Sequence, residues 1–195
     1  MLKKLALLSA LTASAMAMHT AEININEKDI EANLLLDMGQ FNQSIDPDAV
    51  FVGFGYLKGN TDHSDPKGID NGIFSGQFKV QQEIAEGLEI GVGLKFIAAK
   101  ELDKNFFAVP IGGEVRYTFP LDIQTPLYVG GLFYYSPEVL SFDNGKNYIE
   151  YRVNAGVKLM DRAALEIGYR NIDLNFNQGD LTYNESVYFG LKFSF

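Results

Sequence analysis

The stretch that decides the fold is Tyr148-Ile149-Glu150-Tyr151-Arg152-Val153-Asn154-Ala155-Gly156-Val157-Lys158-Leu159. Ile149, Tyr151, Val153, Ala155, Val157 and Leu159 fall on one face, and Glu150, Arg152, Asn154, Gly156 and Lys158 on the other. Successive side chains of a strand point to opposite faces, whereas a helix would bring its apolar positions round every 3.6 residues. This stretch is therefore a strand with one apolar and one polar face.

The same split spreads outward in both directions. Leu88, Ile90, Val92, Leu94 and Phe96 oppose Glu89, Gly91, Gly93 and Lys95. Val109, Ile111, Val115, Tyr117 and Phe119 oppose Pro110, Gly112, Glu114 and Arg116. Leu165, Ile167 and Tyr169 oppose Glu166, Gly168 and Arg170; the alternation then slips at Arg170-Asn171, and Ile172 and Leu174 carry apolar character onward, which predicts a bulge there. Val187, Phe189, Leu191, Phe193 and Phe195 oppose Ser186, Tyr188, Gly190, Lys192 and Ser194. Weaker runs cover 34–39, 50–58, 74–82 and 127–136. These nine strands succeed one another without helices, as in an up-and-down meander.

Before the strands, Met1-Leu2-Lys3-Lys4, the apolar run Leu5 to Leu11 and Ala15-Met16-Ala17 read as a secretory signal peptide over residues 1–17. The chain from Met18 onward is then one barrel domain, 18–195. Losing Lys3 and Lys4 takes the formal charge from −9 two units lower, to −11. Phosphate binding needs clustered Lys and Arg, so so acidic a chain is a poor nucleic-acid binder. The chain has no cysteine, which excludes disulfides, thiolate metal sites and a lipid-bearing cysteine. No later segment reaches the ~20 apolar residues of a membrane helix. An apolar content of 47% with a mean hydropathy of −0.03 fits alternating barrel strands instead.

Alternation alone does not say which face meets water. Three features favour lipid outside. The apolar face is bulky and aromatic near strand ends, at Phe74, Phe78, Phe96, Tyr117, Phe119, Phe133, Tyr135, Tyr151 and Tyr169. The opposite face mixes glycine with Lys79, Lys95, Arg116, Arg152, Lys158, Arg170 and Lys192 and with Asp37, Glu89, Glu114, Glu150 and Glu166. Small residues there make room for long charged ones. Finally, the last strand carries Phe193 and Phe195, and this alternating aromatic end resembles the assembly signal of outer-membrane barrels. Tight connections at Ala85-Glu86-Gly87 and 160–163 alternate with long polar ones at 59–72, 136–147 and 175–183, as periplasmic turns alternate with external loops.

Parity sets the strand number. Transmembrane barrels of bacteria usually have an even count with both ends in the periplasm. A short first strand at 22–26, with Ile23 and Ile25 on one face, brings nine to ten. The runner-up is eight strands from Val50 onward, with 18–40 as a plug or periplasmic segment.

At Tyr134-Tyr135-Ser136-Pro137-Glu138-Val139-Leu140-Ser141, and again at Ala164-Leu165-Glu166-Ile167-Gly168-Tyr169-Arg170, the chain resembles the YfaZ family of proteobacterial outer-membrane proteins. The resemblance runs from Gly112 to Phe195 and implies a small outer-membrane barrel with no known reaction. It carries no catalytic residue to this chain.

Little else points to chemistry. His19 lies beside the expected cleavage site and is expected to be mobile. His63, in Thr61-Asp62-His63-Ser64-Asp65, is expected in a solvated loop, since a nucleophile, base and orienting acid usually meet from distant parts of a fold. Asp62, Asp65 and Asp70 match no EF-hand spacing. No catalytic residue, metal or cofactor is therefore assigned. The expected function is a structural or narrow-pore barrel of the bacterial outer membrane, its lumen filled by ion pairs among the inward charges. Pairs expected are Glu114 with Arg116, Glu150 with Arg170 and Glu166 with Arg152. Expected partners are outer-membrane lipid, the barrel-assembly machinery and periplasmic chaperones. Two alternatives are an outer-membrane enzyme acting on lipid or peptide through His63 at the rim, and a soluble periplasmic lipocalin-like carrier.

Overall fold

Each alternating run becomes a strand because it can bury one face only by pairing with neighbours that alternate in phase. The computed structural model describes residues 19–59, 72–101, 104–121, 125–160, 162–177 and 179–195. Its strands are β1 (Thr20–Ile25), β2 (Asp29–Asp37), β3 (Val50–Gly59), β4 (Ile73–Ala85), β5 (Leu88–Glu101) and β6 (Lys104–Ala108). They continue as β7 (Ile111–Thr118), β8 (Leu127–Ser136), β9 (Ser141–Asp143), β10 (Gly145–Met160), β11 (Ala163–Phe176) and β12 (Gly179–Ser194).

Eleven of these make the ten staves of a closed antiparallel barrel. Staves neighbouring in sequence pair throughout, and β1 pairs with both β2 and β12, so no edge is left open. β6 and β7 are one long stave interrupted at Val109-Pro110: β7 pairs with Leu88–Leu94 of β5 and β6 with its Ile97–Glu101. Pro110 has no N–H to give the ladder, though its carbonyl still accepts from Lys95 N at 2.8 Å. β9 adds a short outer rung to β6. Ten strands is the count that parity predicts. The eight-strand alternative falls, because residues 20–37 are two staves and not a plug.

Both barrel termini lie at one end, here the near end, where β2 also leads to β3, β4 to β5, β7 to β8 and β10 to β11. At the far end β1 leads to β2, β3 to β4, β5 to β6, β8 through β9 to β10, and β11 to β12. Two expectations about connections need correction. The span 175–183 is not a long loop: β11 and β12 zip together up to Phe176 opposite Gly179. The near end also has one long connection, 38–49, which Asp37 organises.

The bulge expected at Arg170-Asn171 is not there. β11 keeps its alternation to its end, with Ala164, Glu166, Gly168, Arg170, Ile172, Leu174 and Phe176 inward, and its register with β10 is continuous from Asn147↔Asn175 to Lys158↔Ala164. The irregularity sits on the neighbour: Ile172 faces Asn184 but Asp173 faces Thr182, so Tyr183 is an extra residue in β12. What changes along β11 is the character of the lumen. Beyond Arg170 the interior turns from polar to apolar, and the bulge swings Tyr183 inward to meet it.

The outward face is apolar: Phe54, Phe74, Phe96, Phe133, Val153, Ile167 and Phe189 all stand exposed. The lipocalin-like alternative requires the reverse arrangement and is contradicted by this orientation. Inside, Gly156 and Gly168 give up side chains to the rings of Tyr128 and Tyr188, which a Cβ at either position would meet at 2.3 and 2.5 Å.

Candidate functional site: the charged lumen

The interior has two layers. The far-end layer is apolar: Leu57, Ile73, Ile97, Ala99, Phe106, Ala108, Tyr148, Ile172, Leu174, Phe176 and Tyr183 form one cluster, with Leu181 packed against it. Phe106 is central, edge-on to Phe176 at 5.3 Å and tilted to Tyr148 at 6.4 Å. Burying one such ring contributes about 1.5–3 kcal/mol.

Below it lies a layer of charge. Arg170 of β11 is fully buried and donates to Asp29 and Glu31 of β2 and, through Nε, to Asn184 Oδ1 at 2.9 Å. Arg152 of β10 grips Glu31 with both terminal nitrogens at 2.7 Å and donates its Nε to Glu150 at 2.8 Å. Glu150 also accepts from Lys95 Nζ at 2.8 Å and from Tyr148 Oη at 2.9 Å. A second group joins Lys79 to Glu114 at 2.9 Å, with Gln77 and Tyr134 donating to the same carboxylate at 2.7 and 3.1 Å. A third centres on Glu166, which takes Tyr128 Oη at 2.9 Å, Asn154 Nδ2 at 3.1 Å and Lys192 Nζ at 3.4 Å. Lys192 reaches Glu22 as well, at 3.2 Å. Two buried charges in low dielectric gain from each other only when their remaining donors and acceptors are also met, and these clusters meet nearly all of them.

Lys79, Lys95, Glu114, Glu150, Arg152, Glu166, Arg170 and Lys192 stand on the inner face, with Glu89, Arg116 and Lys158 at the near rim, and the pairs differ from those expected. Glu114 pairs with Lys79, not Arg116; Glu150 with Lys95 and Arg152, not Arg170; Glu166 with Lys192, not Arg152. Arg116 and Glu89 face each other at 3.8 Å at the near rim, both partly in solvent. Lys158 is exposed at that rim and joins no ion pair among the described residues. Asp37 is buried but forms no lumen ion pair. Its carboxylate accepts from Gly39 N at 2.9 Å, Asp48 N at 3.1 Å and Gln40 Nε2 at 3.2 Å, closing the start of the 38–49 connection. Within that connection burial pushes the Asp48 carboxyl up, and the charges of Asp37 and Glu89 push it further.

The anions that hold the central arginines, Asp29 and Glu31, are absent from the sequence-based set, as are Glu22 and Asn24. A signal for them existed. Asp29-Ile30-Glu31-Ala32-Asn33-Leu34 alternates polar with apolar and extends the strand upstream of Leu34. Its acids hid in what reads by composition as a polar leader.

His19, expected to be free beside the cleavage site, is packed into the barrel's seam. It is buried, its Nδ1 accepts from Asp37 N at 3.1 Å, and its ring stacks on Phe41 at 5.3 Å and meets the edge of Phe195 at 5.9 Å. His19 and Phe195 exchange two backbone hydrogen bonds of 2.9 Å, the last rungs of the β1–β12 seam. Phe193 points outward on the same strand. His63, Asp62, Asp65 and Asp70 lie outside the described residues. Among the described residues no group of three or more His, Cys, Asp or Glu is placed to hold a metal ion.

The side chains leave a cavity of about 140 Å³, lined by Glu89, Arg116 and Lys192 towards the near end and by Lys95, Glu150 and Ile172 deeper in. Its polar lining and its size suit ordered water molecules.

A closed antiparallel barrel of ten staves, apolar outside and charge-paired inside, is a transmembrane β-barrel. This chain belongs to the YfaZ precursor family, whose model matches residues 2–195, well beyond the Gly112–Phe195 span of the resemblance. No curated protein matches it. Among solved structures it is similar to outer-membrane expressed OmpT of Vibrio cholerae, at 17% identity and a TM-score of 0.39, covering 86% of this chain and 56% of that one. It is also similar to the outer membrane channel DcaP of Acinetobacter baumannii, at 9% identity and a TM-score of 0.38, covering 89% and 54%. The chain spans just over half the length of each.

Proposed function

We propose that this chain is a small, non-enzymatic protein of the bacterial outer membrane whose barrel is a closed scaffold, passing at most a thin thread of water. The near end, with its two strand termini, faces the periplasm and the far end faces outward. Outer-membrane lipid surrounds the apolar belt. The barrel-assembly machinery and periplasmic chaperones deliver the chain, with Phe193 and Phe195 at the closing strand.

The observation that carries this reading is the crossing of the lumen by Arg152 and Arg170. From β10 and β11 they reach the acids of β2 beneath the apolar far-end layer. A conducting pore of fixed selectivity would keep an open path lined by charge of one sign. Here cations and anions neutralise each other across the bore, and a barrel of this strand number has an interior about wide enough for side chains to fill.

The test is conductance of the refolded protein in planar bilayers. The unmodified protein gives no large steady openings. Neutralising both arginines, as Arg152→Gln with Arg170→Gln, raises whatever leak exists and lowers the unfolding temperature. Large steady channels from the unmodified protein overturn the closed-scaffold reading, and so does a double variant unchanged in both properties.

A further inference from the structure

The outer wall of β10, β11 and β12 changes character towards the far end. Its lower rungs are apolar: Ala155, Ile167 and Phe189 stand side by side, and above them Val153, Tyr169 and Val187. The next rung is Tyr151, Asn171 and Glu185, and the one above it Ile149, Asp173 and Thr182. Thr182 falls on this face because Tyr183 and Asn184 both turn inward at the bulge. A bulge re-aims side chains in this way. Two carboxylates, an amide and a hydroxyl are thereby gathered above a wall of hydrocarbon.

Asn171 is the unusual member. It points outward, yet it is only 7% exposed, and its Oδ1 has no hydrogen-bond partner. Only outward neighbours can cover an outward side chain. Those of Asn171 are Tyr151 and Glu185, ~5 Å away across the ladder, and Tyr169 and Asp173, ~7 Å away along the strand. The orphaned oxygen therefore lies inside the group that these side chains form. A buried acceptor left unmet is costly and calls for something that satisfies it.

Charge makes the same case. In the lumen Glu31, Glu114, Glu150 and Glu166 each hold a cation. Asp173 and Glu185 make no ion pair among the described residues. No Lys or Arg stands with them on these two rungs of β10, β11 and β12. Glu185 accepts one hydrogen bond, from Tyr169 Oη at 3.0 Å, and the Tyr169 ring lies 6.0 Å from that of Tyr151. Carboxylates at the edge of a hydrocarbon belt are costly unless neutralised.

We propose that this patch binds one Ca²⁺ ion, held by the carboxylates of Asp173 and Glu185 and by Asn171 Oδ1, with the Thr182 hydroxyl beside them. Ca²⁺ takes about six to eight oxygens, from carboxylates, amide carbonyls and water, in a flexible arrangement, whereas Mg²⁺ demands a near-ideal octahedron. Side chains standing free on an outer wall suit the former. A divalent ion neutralises both carboxylates at once and gives the Asn171 oxygen its partner. Two acids completed by neutral oxygens make a different donor set from a cluster of three acids or histidines.

Tyr151 and Tyr169 flank the site in a chain without tryptophan, so tyrosine-sensitised Tb³⁺ luminescence reads it directly. The full protein is refolded in zwitterionic detergent, which adds no net charge, and titrated with Tb³⁺ and then with Ca²⁺. The unmodified protein gives a saturating signal that Ca²⁺ displaces, and Ca²⁺ raises its unfolding temperature. Asp173→Asn with Glu185→Gln weakens Tb³⁺ binding about tenfold or more and removes the effect of Ca²⁺ on unfolding. Asn171→Ala, with both acids intact, weakens binding several-fold. Absence of a saturable signal from the unmodified protein overturns the proposal. So does a double variant that binds as well as the unmodified protein, which would place the ion on other acids, and so does an Asn171→Ala variant that binds unchanged. Should the double variant fail to fold, Glu185→Gln alone, at an exposed position, decides: undiminished binding overturns the proposal. Every ligand lies on the outer wall, so the result is independent of whether the lumen conducts.

Discussion

At the scale of single residues the lumen is governed by the cost of an unpaired charge. Arg170 is the most enclosed cation among the described residues, donating to Asp29, Glu31 and Asn184 and lying over the ring of Tyr188. Removing it leaves Asp29 and Glu31 short of their partner in a site they cannot leave. Breaking a buried pair in this way costs about 3–5 kcal/mol, whereas replacing all members by neutral groups of similar size costs far less. Arg170→Met should therefore lower stability in urea by about 3–5 kcal/mol. Adding Asp29→Asn and Glu31→Gln to Arg170→Met should recover a large part of the loss. A triple variant less stable than the single one would show that the acids are not what the arginine neutralises. The inward position of Arg170 was legible from period two alone. Its partners were not, because Asp29 and Glu31 are about 140 residues away and only closure of the barrel makes them neighbours.

At the scale of elements the decisive pieces are the seam and the bulge. β12 must pair with β11 on one side and β1 on the other, and its last residue is locked to His19 by two hydrogen bonds and a ring contact. Deleting Phe195 takes away the final rungs of the only pairing that joins the first stave to the last. Trimming Gly179 and Asp180 shortens a hairpin at the far turn and leaves the seam whole. The Phe195 deletion should cut the yield of assembled protein well below that of the trimmed variant, read as the fraction of folded, unboiled band on gels; equal yields would show that the seam does not limit assembly. The extra residue Tyr183 is a different kind of feature. Local sequence showed only that alternation faltered near Ile172 and assigned the fault to β11. The register shows that β11 is regular and β12 is not, since a bulge is a property of two strands compared and not of one strand read alone.

At the scale of the whole molecule the exposed apolar belt needs hydrocarbon around it. Contiguous exposed apolar area on this scale is not compatible with a monomer in water. The protein should fractionate with outer membranes and migrate differently on gels before and after boiling, as folded barrels commonly do. Full recovery in the soluble periplasm, without such a shift, would contradict the proposed location. What the sequence by itself determined is the strand character of the staves, an even strand number with ten preferred over eight, and which face is apolar, all of them consequences of a two-residue period and of parity. It also determined that the polar face carries both signs of charge. Only the tertiary structure decided which cation meets which anion, that β1 and β2 supply the central acids, and that the far end of the lumen is apolar. The physical reason is that period two is a local property of the backbone, repeated every ~7 Å along a strand. Pairing across a lumen depends on how ten staves are staggered when the sheet closes, and no segment of the chain contains that stagger on its own.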